Sequence, residues 1–444
     1  MAREMKDSGV EWIGEIPKEW KLIRMKACIL QRDSGAWGNE ANGTEGDVIC
    51  LRIADFNYPM FKFKDTDEEL LTKRNYNASI IENLLLHKND ILIEKSGGGE
   101  KTPVGRTVIF DKSYRAVYAN FCDRLRCREI ILPQFMQYIF VTFYANRYIW
   151  NYIKQTTGIQ NLDLTAMLAS ERIALPSIIE QQRIVNSLNT YCAELDNVLE
   201  KTRTSIEEYK KLKQAVITQA VTKGIKGDRE MKDSGIEWNN QIPAEWDRIN
   251  SKALFRQRKD KAFEGEKQLT ASQQYGIMYQ SDYMEVTGTK VVTVEKDFDI
   301  LKHVEAGDFV ISMRSFQGGL EYSELSGSIS SAYVMLVPNL GLVYPRFYRW
   351  LLKSEVYIRA LQSTSNMVRD GQAMRYSNFS QVRLYTVPME EQEEIAQYLD
   401  EKCKIIDNLI AKKEQYLSEI ENYKKSLIYE YVTGKKEVPC ESAD

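Results

Sequence analysis

The sequence predicts an α+β protein: two mixed α/β domains separated by two long antiparallel helices that pair as a coiled coil, all arranged as a pseudo-twofold internal repeat. Three observations predict it. MKDSGVEWIGEIPKEW (Met5 to Trp20) returns as MKDSGIEWNNQIPAEW (Met231 to Trp246), 226 residues later. EQQRIVNSLNTYCAELDNVL (Glu180 to Leu199) returns as EQEEIAQYLDEKCKIIDNLI (Glu391 to Ile410), each copy following a proline, Pro176 or Pro388. Both second motifs open long stretches of heptad spacing. A repeat of this length dictates the architecture, so it takes precedence over local propensity. The chain has 444 residues and 43% hydrophobic composition, enough for two or three domains with real cores.

Residues 1–20 hold the first signature, whose Trp12 and Trp20, like Trp238 and Trp246 in residues 231–246, are expected to pack domain against helix. Residues 21–175 form the first variable block. Within it, Lys88-Asn89-Asp90 turns into the β-rich run Ile91 to Ile93, followed by the loop Glu94-Lys95-Ser96-Gly97-Gly98-Gly99. The second block, 247–387, repeats this skeleton as Ala306-Gly307-Asp308, Phe309 to Ile311, and Ser312 to Gly319. PQFMQYIF (Pro133 to Phe140) and PRFYRWLL (Pro345 to Leu352) read as helix starts with proline in the first turn.

The stretches 176–230 and 388–444 carry the long helices, the first with a linker and the second with a tail. Ile184, Leu188, Tyr191, Leu195, Val198, Thr202, Ser205, Tyr209, Leu212 and Val216 step alternately by four and three. So do Ile395, Leu399, Lys402, Ile406, Leu409, Lys413, Tyr416, Ile420, Tyr423 and Leu427. That is the seam of a coiled coil. Helices this long and this polar on their outer faces need each other. Glycines near the expected stops, Gly224 and Gly434, suit helix ends.

Catalytic chemistry is hard to place. The seven cysteines form no Cys-x-x-Cys pair, and two histidines, His87 and His303, are too few for a His-rich metal site. No nucleotide-binding glycine motif, nucleophile elbow or Asn/Asp-Pro-Pro-Tyr motif occurs, and the spacing of Gly97-Gly98-Gly99 with Lys101 and Thr102 is wrong for a phosphate loop. No apolar run approaches a membrane span and the start lacks a leader-like segment, so a cytoplasmic protein without a membrane partner is expected.

Binding fits better. The net charge of −3 excludes a uniformly basic binder. Resolved by region, residues 21–175 carry 21 basic against 18 acidic groups and residues 247–387 carry 18 against 15, while the last 57 residues carry 8 against 14. The blocks also set basic residues beside glycine, amide and aromatic side chains. In the first block the candidate DNA contacts are Arg32, Trp37, Lys95, Ser96, Gly97, Gly98, Lys101, Arg106, Thr157, Gln160 and Asn161. In the second they are Arg258, Lys259, Gln273, Gln274, Tyr275, Arg314, Ser315, Gln317, Gly318, Asn366, Arg369 and Arg375. Arginine and lysine suit phosphates or guanine. Asparagine and glutamine suit adenine edges.

The duplicated MKDSG(V/I)EW…IP.EW signature, the Leu-Pro or Val-Pro followed by Glu-Gln and Ile, and the helix ending in Val-Thr resemble the specificity (S) subunit of type I restriction-modification systems. The resemblance implies that each block is a target recognition domain reading one half of an asymmetric bipartite site in double-stranded DNA. It further implies that the helices dock two modification (M) subunits, which carry S-adenosylmethionine and methylate adenine N6. Restriction (R) subunits, using ATP and Mg, would add translocation and cleavage. The S subunit itself would hold no cofactor or metal and no catalytic residue.

Overall fold

The computed structural model describes residues 3–156, 158–294, 300–312, 315–364 and 374–438. It is a mixed α+β protein that divides into two compact units: residues up to Arg203 with those from Gln415 onward, and Thr204–Glu414. The units cut across chain order, because each takes one part of both long helices. Among the described residues no helix is long and apolar enough to cross a membrane.

The first unit opens with the signature as a hairpin, Met5–Asp7 paired with Glu15–Pro17. Its main sheet uses β1 (Ile29–Ser34), β2 (Phe56–Asn57), β3 (Lys62–Phe63), β4 (Ile91–Glu94), β5 (Thr107–Ile109) and β6 (Cys122–Cys127), in the spatial order β1-β6-β4-β5-β3-β2. Helix α1 (Pro133–Ala145) packs on it, burying Phe135, Met136, Ile139 and Phe143. The block's two ends meet where Lys21–Arg24 pairs antiparallel with Arg172–Leu175. The second unit repeats the plan. Its signature hairpin pairs Met231–Asp233 with Gln241–Pro243, and its block closes by pairing Asp247–Asn250 with Arg383–Thr386. Its sheet is β7 (Phe255–Arg258), β8 (Phe309–Ile311), β9 (Glu321–Tyr322) and β10 (Val334–Pro338), in the order β7-β10-β8-β9.

The long helices are α2 (Ile178–Lys223) and α4 (Met389–Val432), with α3 (Pro345–Leu351) standing in the second unit where α1 stands in the first. After α2, Gly224 takes a φ of +76°, and after α4, Gly434 takes +75°, the left-handed conformation that ends a helix cheaply with glycine. Within each unit the helices run antiparallel. In the first, Tyr191 stacks on Tyr431, Asp196 pairs with Lys424 at 2.7 Å and Arg203 with Glu421 at 2.8 Å. In the second, Lys413 lies over Tyr209, and Lys213 reaches Asp407 at 2.7 Å.

The seam differs from the expected one by a slip of one residue at alternate positions. Ile184, Leu188, Ile395, Leu399, Ile406, Ile420 and Leu427 are buried, with Leu195 and Tyr209 half-buried. Val198 and Leu212, however, are exposed, as are Tyr191, Leu409, Tyr416 and Tyr423. Cys192, Leu199 and Lys424, next to Tyr191, Val198 and Tyr423, are buried in their place, as is Cys403 next to the exposed Lys402. The sequence offers two apolar columns about 100° apart around each helix. The contact takes the column carrying Cys192, Leu199 and Ile206, while Tyr191, Tyr416 and Tyr423 of the other stay exposed.

The two repeated motifs meet in a clamp at the start of each long helix. The Trp20 indole N–H donates to Glu180 at 2.9 Å, and Arg3 lies over the Trp20 ring while pairing with Glu180 at 2.7 Å. In the second unit Trp246 donates to Glu391 at 3.0 Å, and Arg229 lies over Trp246 while pairing with Glu391 and Glu245. The next residue is a buried glutamine. The Gln181 carbonyl accepts from the backbone N–H of Leu132, the residue before α1, and its amide donates to the carbonyls of Ile130 and Pro176. Gln392 does the same with Tyr344 N–H and the carbonyls of Leu342 and Val387. Each glutamine thus ties a domain helix to a long helix, and its removal would leave three backbone groups unpaired, among them the Pro176 or Val387 carbonyl, whose bond is fully buried. Of the signature tryptophans, Trp12, Trp20 and Trp246 are buried and Trp238 is half-buried.

Candidate nucleic-acid interface

Beneath the loops of the first block lies a lattice of ion pairs. Asp123 on β6, fully buried, accepts from Arg32 at 2.7 Å, Lys95 at 2.8 Å and Ser34 at 2.8 Å. Asp90 receives both arms of Arg126 and caps its own turn by accepting from the His87 N–H. Glu94 receives both arms of Arg106, whose guanidinium lies 3.7 Å over the Tyr58 ring. Burial raises the pKa of Glu94 although Arg106 pulls the other way. For Arg106, burial opposes the charge, and Glu94 more than offsets it.

This lattice changes the part several expected contacts play. Arg32, Lys95 and Arg106 spend their charge on internal carboxylates and position loops; the expected direct phosphate contact does not fit Arg106, held on both arms. Gln160 is fully buried. Its carbonyl accepts from the Val104 N–H at 3.3 Å, so it cannot read a base edge from this position. Gly98, at φ +63°, leaves no room for a Cβ, which would fall 2.8 Å from the Val104 nitrogen and 2.9 Å from the Gln160 oxygen. Ser96–Gly97 pairs with the hairpin strand Ile159–Leu162, where the Ser96 hydroxyl donates to Asn161 at 2.7 Å. The glycine loop is therefore a short strand, not the opening of a helix.

What the first block leaves outward is smaller and more specific. Lys101 and Asn161 are exposed, and Trp37 is exposed with Arg74 4.6 Å from its ring centre. Arg74 has no sequence signal of its own; only its partner was an expected contact. Thr157 lies outside the described residues.

In the second block Arg258 grips Asp308 with both arms and reaches Asp260 at 3.0 Å, so it too works internally. Asp308 caps its turn by accepting from the Glu305 N–H, as Asp90 does in the first unit. The repeated aspartate in Lys88-Asn89-Asp90 and Ala306-Gly307-Asp308 was the available signal for these two arginine sites. Ser315 is buried, its hydroxyl accepting from the Ser312 N–H, and this rules it out as a direct phosphate donor here. Lys259, Gln274, Tyr275 and Gln317 are exposed. The turn at Gln273 to Tyr275 joins the strands Leu269–Ser272 and Gly276–Tyr279, and Gln273 closes against Gly318, where a Cβ would meet its amide at 2.8 Å. Arg375 is exposed before the short helix Tyr376–Gln381. Arg314, Asn366 and Arg369 lie outside the described residues.

Residues 53–208 match the model of the type I restriction modification DNA specificity domain. Over 95% of both chains, this one is 23% identical to a putative type I restriction enzyme MjaX specificity subunit of Methanocaldococcus jannaschii. It is 20% identical to that organism's MjaVIII specificity subunit, over 95% of this chain and 93% of the other. Its fold matches a chain from a type I R-M system structure, at TM-score 0.68 and 14% identity, covering 95% of this chain and 99% of that one. It also matches the HsdS subunit of Thermoanaerobacter tengcongensis, at TM-score 0.51 and 13% identity, covering 95% and 98%. Residues 53–208 thus match a type I DNA specificity domain, and along nearly its whole length the chain is similar to type I specificity subunits in sequence and to an HsdS subunit in fold. In both blocks the buried ion pairs hold the loops in place, and exposed amide, aromatic and lysine side chains are what the loops leave outward.

Proposed function

We propose that this specificity subunit is the non-catalytic reader of a type I modification complex, each block reading one half of an asymmetric bipartite site in double-stranded DNA. The carrying observation is the contrast within each unit: an identical Arg-Glu-Trp clamp and glutamine tie beneath loops that share almost no side chains. A constant mount with two different reading surfaces suits two different half-sites. The residues offered to DNA are Lys101, Asn161, Trp37 with Arg74, Lys259, Gln274, Tyr275, Gln317 and Arg375, with Arg32, Lys95, Arg106 and Arg258 as positioning residues.

The two long helices pair as an antiparallel coiled coil and set the spacer between half-sites. Their exposed column, Tyr191, Val198, Tyr416 and Tyr423 in one unit and Leu212, Ile405 and Leu409 in the other, supports docking of two M subunits, since an apolar stripe left in water marks an interaction surface. S-adenosylmethionine belongs to those subunits, and ATP and Mg to the R subunits; no residue of this chain is assigned to hold them. Expressing the chain with its M subunit and mapping methylated adenines tests this reading. A single bipartite motif is expected, and methylation independent of sequence would overturn it.

A further inference from the structure

Each unit holds a cavity at the same place, between its block and its helix pair, bordered by equivalent lysines. Lys424, paired with Asp196, borders the first, and Lys213, paired with Asp407, borders the second. Their chemistry differs. In the second unit's cavity, of about 620 Å³, every bordering cation among the described residues has a carboxylate: Lys213 has Asp407, Arg349 has Glu324 at 3.2 Å and Lys353 has Glu321 at 2.6 Å.

The first unit's cavity, of about 430 Å³, is walled by the rings of Tyr58, Phe61, Phe140 and Tyr144. Lys101, Arg147 and Lys425 stand exposed at its border with no ion-pair partner among the described residues. Thr107, only 4% exposed, lines it, and its hydroxyl oxygen is buried without a hydrogen-bond partner. Arg106 backs the Tyr58 ring, fixing that wall. A slot with aromatic walls, a spare buried hydroxyl and a rim of unpaired cations asks for a flat apolar body carrying negative charge. Its volume lies in the range of small-molecule sites.

We propose that this cavity binds a mononucleotide unit, its base between the aromatic walls and its phosphate at Lys101, Arg147 and Lys425. Stacking and charge-assisted contact are the two interactions such a ligand needs. Because the second unit's cavity is already neutralised, the chain takes one nucleotide, not two. The unit can come from two sources, a free nucleotide or a nucleotide unstacked from bound DNA.

Two arms separate the sources. In the first, the full chain without DNA is titrated calorimetrically with AMP, GMP, CMP, dTMP and inorganic phosphate. Saturation at one equivalent by a nucleotide, with phosphate much weaker, is expected for a free ligand. The exposed-site double variant Arg147→Ala/Lys425→Ala, which spares the residues offered to DNA, should then weaken binding by about tenfold or more, and Thr107→Val should weaken it too, whereas Arg349→Ala in the other cavity should not. In the second arm, the chain with its M subunit is mixed with duplexes carrying 2-aminopurine at successive positions of the methylated site. A fluorescence rise at one position that the double variant abolishes assigns the cavity to unstacked DNA. The proposal fails if neither arm gives a signal sensitive to the double variant, if two equivalents bind, or if phosphate binds as well as any nucleotide. Failure of the DNA reading alone leaves the first arm intact.

Discussion

The two units use one mount for two different surfaces. Glu180 and Glu391, Trp20 and Trp246, Gln181 and Gln392 make the same bonds to equivalent partners. Above them the sheets share an order but differ in their charges: Asp90 takes its arginine from β6, whereas Asp308 takes one from β7, a strand at the sheet's edge. The aspartate is kept because it caps the turn before the central strand, and any nearby guanidinium can neutralise it. Where the backbone must be held, the residues repeat. Where only a charge must be balanced, the source of the charge can move.

The largest effect should come from exchanging what differs. Replacing residues 21–175 with the equivalent block of another family member should rewrite one half of the methylated motif completely and leave the other unchanged, as read by methylome sequencing. A change in both halves would break the modular comparison. Removing what is shared should be costly in stability and equal in both units. Gln181→Leu leaves the Leu132 N–H and two carbonyls without their partner, that of Pro176 in a fully buried place, and Gln392→Leu does the same to the Tyr344 N–H and two carbonyls, that of Val387 fully buried. At about 1–3 kcal/mol for each unsatisfied group, partly relieved by relaxation, each variant should lose roughly 2–4 kcal/mol in urea unfolding. A large inequality between them would show that the ties are not equivalent.

The mount was legible because its parts repeat in sequence: the signatures, the Glu-Gln after proline and the terminal glycines all mark it. The reading surface was legible only in part. Arg106 and Arg258 look the same as exposed arginines in sequence, and only the fold brings Glu94 and Asp308 under them. Gln160 sits in a polar, glycine-rich stretch, yet strand pairing turns it inward beside Gly98. The seam slipped for a related reason. Both apolar columns satisfy the same spacing, so periodicity alone could not choose Cys192 and Leu199 over Tyr191 and Val198.

One shared feature should behave unequally, and the difference comes from burial. Lys424 is 7% exposed, pairs with Asp196 and also donates to the Pro59 carbonyl at 3.0 Å. Lys213 makes the equivalent pair with Asp407, whose side chain is about half exposed. Lys424→Met leaves the Asp196 carboxylate, whose side chain is only 14% exposed, without its partner, so a loss of about 3 kcal/mol is expected. Lys213→Met should cost no more than about 1 kcal/mol, because water solvates Asp407. Equal losses by denaturant titration would remove burial as the cause.

The smallest expected effect is on pH dependence, and it tests whether the buried acids of the two blocks are alike. Burial raises the pKa of Glu94 and of Glu321 above the ordinary 4.5, against the pull of Arg106 and Lys353. A raised carboxylate binds its proton more tightly in the folded state than in the unfolded one. Stability therefore falls as pH rises from the ordinary carboxylate value to the raised one, and levels above it. Glu321→Gln removes one such group while Lys353, 37% exposed, can turn to water. The unfolding midpoint of this variant should decline less than that of the parent between about pH 4 and 7. Glu94→Gln should flatten the same window but also lower stability throughout, since Arg106 is more enclosed than Lys353 and keeps an unpaired charge against the Tyr58 ring. An unchanged pH slope in Glu321→Gln would mean that Lys353 already holds that carboxylate at its ordinary pKa, and the two buried acids would then differ in kind.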